Sequence, residues 1–380
     1  MILKKINKPS KKITILVVPL DWGLGHATRC IPLIHEFLAK QCNVIIAADG
    51  AVKSLLQIEF QQLTFLPIKG YGVRYSNQKR WLSLKLITQV PSVLLRIYKE
   101  HQWLKKVVKK YTIDAVLADN RFGLYHSHIP SIYITHQVLI KTGSRFSEQI
   151  ALKIHAWFIN KFTFCWIPDF EGEQNIAGEL SHPAQLPINS KYIGCLSRFE
   201  KKEGVQKIYD LLIIISGPEP QRTLFETILL KQLKSHTGKT LLVRGLPGGH
   251  TNGSTIFGTD SGNKIMMKDH LSSQELNDAI LQAEMVISRS GYTTLMDLIK
   301  LGQKAILVPT PGQTEQEYLA THSMRKNLFY AVNQEDFILA KVLEEAAVFP
   351  FTSNIPEMEQ YKKNIGNFVQ LLTGEHAQAC

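Results

Sequence analysis

Three residues whose side chains can transfer protons lie shortly after predicted β-strands. A buried strand over Ile13–Pro19 leads into a Gly-x-Gly turn, in which Gly25 allows close backbone approach to a ligand and His26 follows. Two later strands end at Asp119 and His136. Because the carboxyl ends of parallel strands lie at one edge of a sheet, these side chains are expected to face the same ligand. An imidazole titrates near neutrality, so His26 can take a proton from an attacking hydroxyl. Asp119 and His136 are candidates for secondary bases or acceptor-binding groups. The alternative is that all three only cap a helix or hold loops.

A second group of polar residues lies in the strand–turn–helix pattern of residues 286–322. Arg289, Ser290 and Gly291 interrupt a short apolar run, and a helix begins directly after them. Backbone N–H groups and the positive end of a helix dipole beside an arginine suit a phosphate or diphosphate. The carboxylates and amides that follow suit sugar and ribose hydroxyls, and they are Asp297, Gln313, Glu315 and Gln316. The alternative is an ordinary βαβ unit with a capped helix.

The elements that must position these residues alternate between strands and helices along the whole chain. Apolar, β-branched runs followed by amphipathic segments recur on both sides of a polar, proline-containing stretch over residues 179–190. This alternation predicts an α/β fold with two Rossmann-like domains that face each other across a cleft. We place the first domain at residues 1–188 and the second at residues 189–352, with the linker near their boundary.

Composition restricts the class of protein. The 380 residues are 44% hydrophobic and 20% charged, as is usual for soluble globular proteins. No stretch offers the roughly 18 apolar residues that a transmembrane helix needs. The five cysteines form no Cys-x-x-Cys pair, which indicates a reducing compartment and argues against a metal site.

The net charge of +12 falls entirely in the first half of the chain. Residues 1–190 contain 24 Lys and Arg against 12 Asp and Glu, whereas residues 191–380 contain 20 of each kind. Such asymmetry predicts an anionic partner, for which lipid headgroups, a phosphorylated carrier and nucleic acid are candidates. Basic, tryptophan-containing segments over residues 81–110 and 145–166 suit an anionic membrane surface. The alternative is that these segments pack inside the domain.

Three motifs resemble those of GT-B glycosyltransferases, and most closely glycosyltransferase family 28, which adds N-acetylglucosamine in peptidoglycan precursor synthesis. They are the loop Gly23–Arg29, the strand end Gly194–Arg198 and the stretch Arg289–Tyr318. The resemblance implies a GT-B fold and a UDP-sugar donor. It also implies that a last helix, within residues 353–380, returns towards the first domain.

The same resemblance implies further contacts with the donor. It assigns diphosphate contacts to Arg198 and to the loop of Ser216 and Gly217, and it places uracil between His270 and Leu271. The family usually has glutamate where this chain has Asp297.

Together these features predict a nucleotide-sugar-dependent hexosyltransferase that is inverting and has no cofactor besides its donor substrate, a UDP-sugar such as UDP-GlcNAc. The acceptor is expected to be a cell-envelope glycan or a lipid-linked molecule. We expect neither a metal nor nucleic acid as a partner, and no Asp-x-Asp motif is present. The enzyme is expected in the cytoplasm, docked on the inner face of the plasma membrane.

Two alternatives stay open at this stage. The loop Gly23–Cys30 also resembles that of nucleotide-sugar hydrolases of nonulosonic acid synthesis, in which the histidine activates water. A non-catalytic Rossmann protein that binds NAD or another nucleotide ranks lower, because Arg29 stands where the third glycine of Gly-x-Gly-x-x-Gly belongs.

Overall fold

Two parallel β-sheets with flanking helices form the protein, as the computed structural model of residues 12–71, 79–246, 255–258, 264–352 and 357–374 shows. The first half contains β1 (Thr14–Val18), α1 (Leu24–Ala39), β2 (Asn43–Ala47), α2 (Gly50–Glu59), β3 (Thr64–Leu66), α3 (Lys79–Tyr111), β4 (Ala115–Asp119), β5 (Ser131–Ile134), α4 (Arg145–Ile159), β6 (Phe164–Ile167) and β7 (Ser190–Tyr192). Its seven strands are all parallel and lie in the order β3-β2-β1-β4-β5-β6-β7.

The second half repeats this architecture. It contains β8 (Tyr209–Ile214), α5 (Gln221–Leu233), β9 (Thr240–Val243), β10 (Thr255–Gly258), β11 (Lys264–Lys268), α6 (Ser273–Leu281), β12 (Ala283–Ser288), α7 (Tyr292–Leu301), β13 (Ala305–Leu307), α8 (Thr314–Arg325), β14 (Tyr330–Ala331), α9 (Leu339–Ala347) and α10 (Gln360–Thr373). The strand order is β10-β11-β9-β8-β12-β13-β14, and β10 alone among these strands runs antiparallel to its neighbour.

The strand registers bring the predicted catalytic positions to one edge of the first sheet. β1 pairs with β4, with Val18 opposite Ala118, and β4 pairs with β5, with Asp119 opposite Ile134. All five residues of β1 are buried, as expected for a parallel strand covered by helices on both faces. The loop after β1 and the ends of β4 and β5 therefore lie side by side.

The second sheet collects the predicted donor loops in the same way. β12 lies between β8 and β13, and Ser288 pairs with both Ile214 and Leu307. The loops that follow these three strands consequently begin at the same level of the sheet. α7 ends at Gly302, as predicted, where a φ of 66° gives the left-handed conformation that glycine adopts without strain.

One apolar cluster joins the two halves, and each half also has an apolar cluster of its own. A single hydrophobic cluster includes residues of the first sheet, of α7 and of α10. In α10, Phe368 makes ring contacts with Phe37 of α1 and Trp166 of β6, so the last helix of the chain lies against the first sheet.

The structure differs from the sequence interpretation at two elements. The predicted boundary after residue 188 falls just before β7, which belongs to the first sheet because Ser190 pairs with Cys165. Trp166, predicted within a membrane-facing segment, is buried in the core instead. Among the described residues, no helix has the length and apolar character needed to cross a bilayer.

Candidate functional site

The structure brings His26, Asp119 and His136 together, as the strand ends predicted. His26 lies in the first turn of α1, and its Nδ1 is 3.0 Å from Oδ1 of Asp119. Asp119 is completely buried at the end of β4, and His136 is buried two residues beyond β5. His26 and Asp119 are in direct contact, whereas His136 is connected to them through an arginine.

Arg29 occupies the centre of this cluster. Its Nε donates to Oδ2 of Asp119 over 2.6 Å, and its Nη2 donates to Oδ1 of the same carboxylate. Nη1 lies 2.9 Å from Nδ1 of His136, and Nη2 lies 2.8 Å from Nδ1 of His26. Sequence reasoning noted Arg29 only as a missing glycine. Its position three residues after His26, on the same face of a helix, was the signal that places it in the site.

The charges of this cluster determine its protonation. Burial alone would raise the pKa of the Asp119 carboxyl, but the charges and hydrogen bonds of Arg29 and His26 hold it well below its ordinary value. Burial lowers the pKa of His136. The cluster therefore contains a fixed ion pair between Asp119 and Arg29, with an imidazole on each side of it.

Glu315 joins this cluster from the second half of the chain. It lies in the first turn of α8, and its Oε1 is 2.7 Å from Nε2 of His136. Burial would raise the pKa of Glu315, but His136 and the other cations of the cluster hold it below its ordinary value. Glu315, which was predicted to hold sugar hydroxyls, is thus in contact with His136 of the first half.

The start of α7 touches the same cluster. The ring of Tyr292 stacks on His136 with 4.2 Å between centroids, and its hydroxyl donates to the carbonyl of Pro168 over 2.7 Å. The hydroxyl of Thr293 donates to the carbonyl of Gly25 over 3.2 Å. These contacts place the N-terminus of α7 beside the loop that carries His26. Sequence reasoning did not single out Tyr292 or Thr293.

The loop after β13 is closed by its own amides. Gln316 accepts from the backbone N–H of Thr310 over 2.9 Å and donates to Oε1 of Gln313 over 2.5 Å. Ser290 donates to the carbonyl of Gln316 over 2.8 Å, and Gly291 caps the N-terminus of α7. The structure therefore brings together four predicted residues, which are Ser290, Gly291, Gln313 and Gln316. The two glutamine side chains form hydrogen bonds within the loop.

Asp297 and Arg198 form a third group beneath these loops. The hydroxyl of Ser197 donates to Oδ1 of Asp297 over 2.6 Å, and burial raises the pKa of Asp297 to about 6. Arg198 is half-buried and donates to Oγ of Ser273 over 3.1 Å. Burial and the nearby charge of Arg198 lower the pKa of His270, which is exposed at the same edge.

The remaining predicted donor residues lie on neighbouring loops. Ser216 and Gly217 are exposed after β8, and Gly217 faces the hydroxyl of Thr310. Leu271 has a buried side chain in the shared core. Among the described residues, no group of three or more His, Cys, Asp or Glu side chains is arranged to hold a metal ion.

Arg289 does not lie where the prediction placed it. The residue is 1% exposed, and its guanidinium donates to the carbonyls of Val308, Pro309 and Gln221 and to the side chain of Gln334. It also lies over the ring of Phe225 at 4.3 Å, and burial lowers its pKa to about 10. In this position Arg289 packs inside the second half, and its Nη1 and Nη2 donate to these four acceptors.

The second half of the chain is similar to a known protein family. Residues 213–367 match the glycosyltransferase family 28 C-terminal domain. The UDP-N-acetylglucosamine–N-acetylmuramyl-(pentapeptide) pyrophosphoryl-undecaprenol N-acetylglucosamine transferase of Histophilus somni is 24% identical over 358 residues, which cover 88% of this chain and 89% of that protein. The enzyme of the same name from Clostridium tetani is 21% identical and covers 90% of each chain.

Solved structures show the same fold. The kitacinnamycin glycosyltransferase superposes with a TM-score of 0.60 at 13% identity over 96% of each chain. MurG of Acinetobacter baumannii superposes with a TM-score of 0.53 at 12% identity, over 95% of this chain and 99% of that one. The predicted GT-B fold and the resemblance to family 28 are thus confirmed, and the chain is a nucleotide-sugar-dependent glycosyltransferase.

Proposed function

We propose that the enzyme transfers a sugar from a UDP-sugar to a hydroxyl of a lipid-linked, cell-envelope acceptor at the inner face of the plasma membrane. Curated relatives with matching length are named for a UDP-N-acetylglucosamine donor and an undecaprenol-linked acceptor. The observation that carries the proposal is the hydrogen bond between Thr293 and Gly25, which sets the N-terminus of α7 beside the loop of His26. A base and an anion-binding helix end therefore share one edge.

In the proposed reaction, the acceptor hydroxyl oxygen attacks the anomeric carbon of the donor sugar. Nε2 of His26 takes the hydroxyl proton while Asp119 accepts from Nδ1. The new glycosidic bond forms as the bond between the anomeric carbon and the diphosphate oxygen breaks, and UDP leaves with that electron pair. A single displacement of this kind inverts the anomeric configuration.

The leaving diphosphate needs positive charge and hydrogen-bond donors. Backbone N–H groups at the start of α7 and the guanidinium of Arg198 supply both without a metal ion. Arg198 suits this role because its Nε is buried without a hydrogen-bond partner. Asp297, in the same group, would bind a ribose or sugar hydroxyl that displaces the hydroxyl of Ser197.

The donor prediction is tested with an Arg198→Met variant. Calorimetric titration with UDP and with UDP-GlcNAc is expected to show affinity about 10- to 100-fold weaker than wild type, because a hydrogen bond to a charged group contributes about 1.5–3 kcal/mol. Arg325→Met, at the exposed far end of α8, is the matched control and should bind like wild type.

Parallel incubations separate transfer from hydrolysis. UDP-GlcNAc that is converted to free sugar and UDP equally fast with and without acceptor would favour the nucleotide-sugar hydrolase that the loop Gly23–Cys30 also resembles. Tighter binding of TDP than of UDP would redirect the donor to a TDP-sugar. Failure of wild type to bind any of these nucleotides would exclude the proposed function.

An exposed apolar stripe on α4 supports the membrane part of the proposal. Four side chains at helical spacing are between 46% and 78% exposed, and they are Phe146, Ile150, Ile154 and Trp157. Arg145, Lys153 and Lys161 accompany them, and Nζ of Lys161 lies 3.5 Å above the Trp157 ring. A basic helix with this pattern suits the interface of an anionic bilayer.

The neighbouring helix α3 contributes to the same side. Its Ile97 and Phe158 of α4 pack in one small cluster, and Leu94, Leu95 and Tyr98 remain exposed beside it. The side chains of residues 79–90, including the predicted Trp81, lie outside the described residues. The membrane prediction therefore rests on α4 and on the second part of α3.

Vesicle sedimentation tests this surface. A Phe146→Ser/Trp157→Ser variant is expected to bind anionic vesicles at least about tenfold more weakly than wild type, because each buried aromatic side chain contributes about 1.5–3 kcal/mol when fully withdrawn from water. The matched control is Ile338→Ser/Val348→Ser, which removes two exposed apolar side chains from the second half. Equal loss in both variants, or equal wild-type binding to neutral and anionic vesicles, would contradict the proposal.

A further inference from the structure

Arg29 is a buried cation in contact with His26, the proposed base, and the proposed proton transfer does not involve it. Only 2% of the residue is exposed. Its guanidinium reaches one carboxylate and two imidazoles at once, all within hydrogen-bond distance. A planar guanidinium keeps its donors in fixed directions, so it sets the relative orientation of every group that it contacts.

The contact with His136 determines which ring nitrogen carries the proton. A guanidinium only donates, so Nδ1 of His136 must accept from Nη1 of Arg29 over 2.9 Å. The proton of a neutral ring then lies on Nε2, which donates to Glu315 over 2.7 Å. Arg29 thereby selects the tautomer of His136 that ties α8 to the first half of the chain.

The contact with Asp119 changes what that carboxylate does for His26. An unpaired carboxylate behind an imidazole stabilises the imidazolium form. Here both oxygens of Asp119 already accept from Arg29, so the pair behind His26 has no net charge. Nδ1 of His26 lies 3.0 Å from Oδ1 of Asp119 and 2.8 Å from Nη2 of Arg29, and it can donate only to the carboxylate. When Nδ1 carries the ring proton and donates to Asp119, Nε2 is left unprotonated.

We propose that Arg29 is a positioning residue of the transfer reaction. Arg29 neutralises the charge of Asp119, so that His26 serves as an uncharged base. Arg29 also holds His136 in the tautomer that donates to Glu315. The proposal rests on the proposed function for the role of His26. Among the described residues, the titratable and charged groups beside His26 are Arg29 on α1, Asp119 on β4, His136 after β5 and Glu315 on α8, and Sγ of Cys30 lies 3.8 Å from Oδ2 of Asp119.

The tautomer arm of the test uses the protein without substrate. Long-range nitrogen–proton NMR of histidine-labelled wild type, assigned with a His136→Gln variant, is expected to show His136 protonated on Nε2. Arg29→Lys keeps the charge beside Asp119 but has no fork to reach His136, so it should abolish this single-tautomer signal. Lys40→Met, at the exposed end of α1, is the control and should preserve it.

The catalytic arm measures the pH profile of UDP release. In Arg29→Met the acid limb is expected to move to higher pH by about one unit or more, since Asp119 then acts on the His26 imidazolium alone. In Arg29→Lys the limb should stay near its wild-type position while kcat falls. Arg29→Met/Asp119→Asn removes both buried charges and should return the limb towards wild type. If the single methionine variant does not fold, the tautomer arm with Arg29→Lys still tests the proposal.

The two arms fail in different ways. A His136 signal that is protonated on Nδ1 in wild type, or that is unchanged in Arg29→Lys, overturns the tautomer assignment whatever the enzyme's activity. An acid limb that stays at its wild-type position in Arg29→Met while kcat falls shows a merely structural Arg29. Absence of UDP release from every UDP-sugar in wild type defeats the proposed function alone, and the NMR result still decides what Arg29 does to His136.

Discussion

Replacing His26 with alanine is expected to lower kcat for sugar transfer about 10²- to 10⁴-fold, the usual contribution of a positioned general base. The imidazole lies in the first turn of α1 with Asp119 behind it and the N-terminus of α7 beside its loop. UDP affinity should change little, because Arg198 and the start of α7 lie on the donor side. Steady-state kinetics and UDP titration on the same preparation give both numbers.

His35→Ala is the matched control for this substitution. His35 is on the same helix, its side chain is 58% exposed, and it lies 3.6 Å from Glu59, so its loss should leave kcat near the wild-type value. A fall in kcat of less than about tenfold in His26→Ala would move the role of base to another group, since a positioned base contributes more than that. His136 is poorly placed as a substitute because both of its ring nitrogens have partners.

The sequence was sufficient to predict the edge at which these residues meet. Asp119 and His136 follow strands whose apolar, β-branched composition is typical of parallel sheets, and neighbouring strands necessarily end at the same edge. Arg29 was not assigned to the site from the sequence, because this residue was considered only as a departure from the third glycine of a dinucleotide-binding motif. The i, i+3 relation to His26 on a helix was available and would have placed it in the site.

Side-chain direction was the part that local sequence did not determine. Arg289 follows a strand end in the way that phosphate-binding arginines do, yet its acceptors belong to residues 19 to 68 positions away, and they draw it into the interior. Glu315 meets His136 across 179 positions of sequence. Periodicity predicts which elements form and where their loops lie, but contacts of this range decide whether a loop side chain faces the cleft or the core.

The candidate membrane surface is a second case in which the sequence did not determine which side chains are exposed. The segment 145–166 is rich in aromatic and basic residues throughout, and its composition alone did not separate a bilayer surface from a core. In the fold, Trp157 is exposed on α4 whereas Trp166 is buried on β6, because the second lies in a strand between two layers. The candidate surface is thus narrower than the sequence suggested, and its exposed apolar residues lie on one face of α4 and on the second part of α3.

Asp297 differs from Asp119 in that its burial is poorly compensated. Asp119 has the full fork of Arg29, and its folded pKa lies below its ordinary value, so it stabilises the fold at neutral pH and loses that contribution only as the pH falls below about 3.8. Asp297 accepts from the hydroxyl of Ser197 and from the backbone N–H of Arg198, and the charge of Arg198 acts on it without a side-chain ion pair. Its pKa is raised from 3.8 to about 6, so the folded protein holds the proton more tightly than the unfolded chain does.

Asp297→Asn is therefore expected to stabilise the protein increasingly as the pH rises. With a pKa of 3.8 unfolded and about 6 folded, the wild-type carboxyl costs almost nothing below pH 3.8 and its full penalty, about 3 kcal/mol, above pH 6. Urea denaturation of both proteins should show a gain for the variant that is about 1–2 kcal/mol larger at pH 8 than at pH 5, a difference in which pH-independent effects of the amide cancel. The same substitution should weaken UDP binding, because a carboxylate kept at this cost suits a hydroxyl ligand that replaces the Ser197 hydroxyl. A gain that does not grow with pH would show that Arg198 already compensates the charge, and unchanged UDP affinity would remove Asp297 from the donor site.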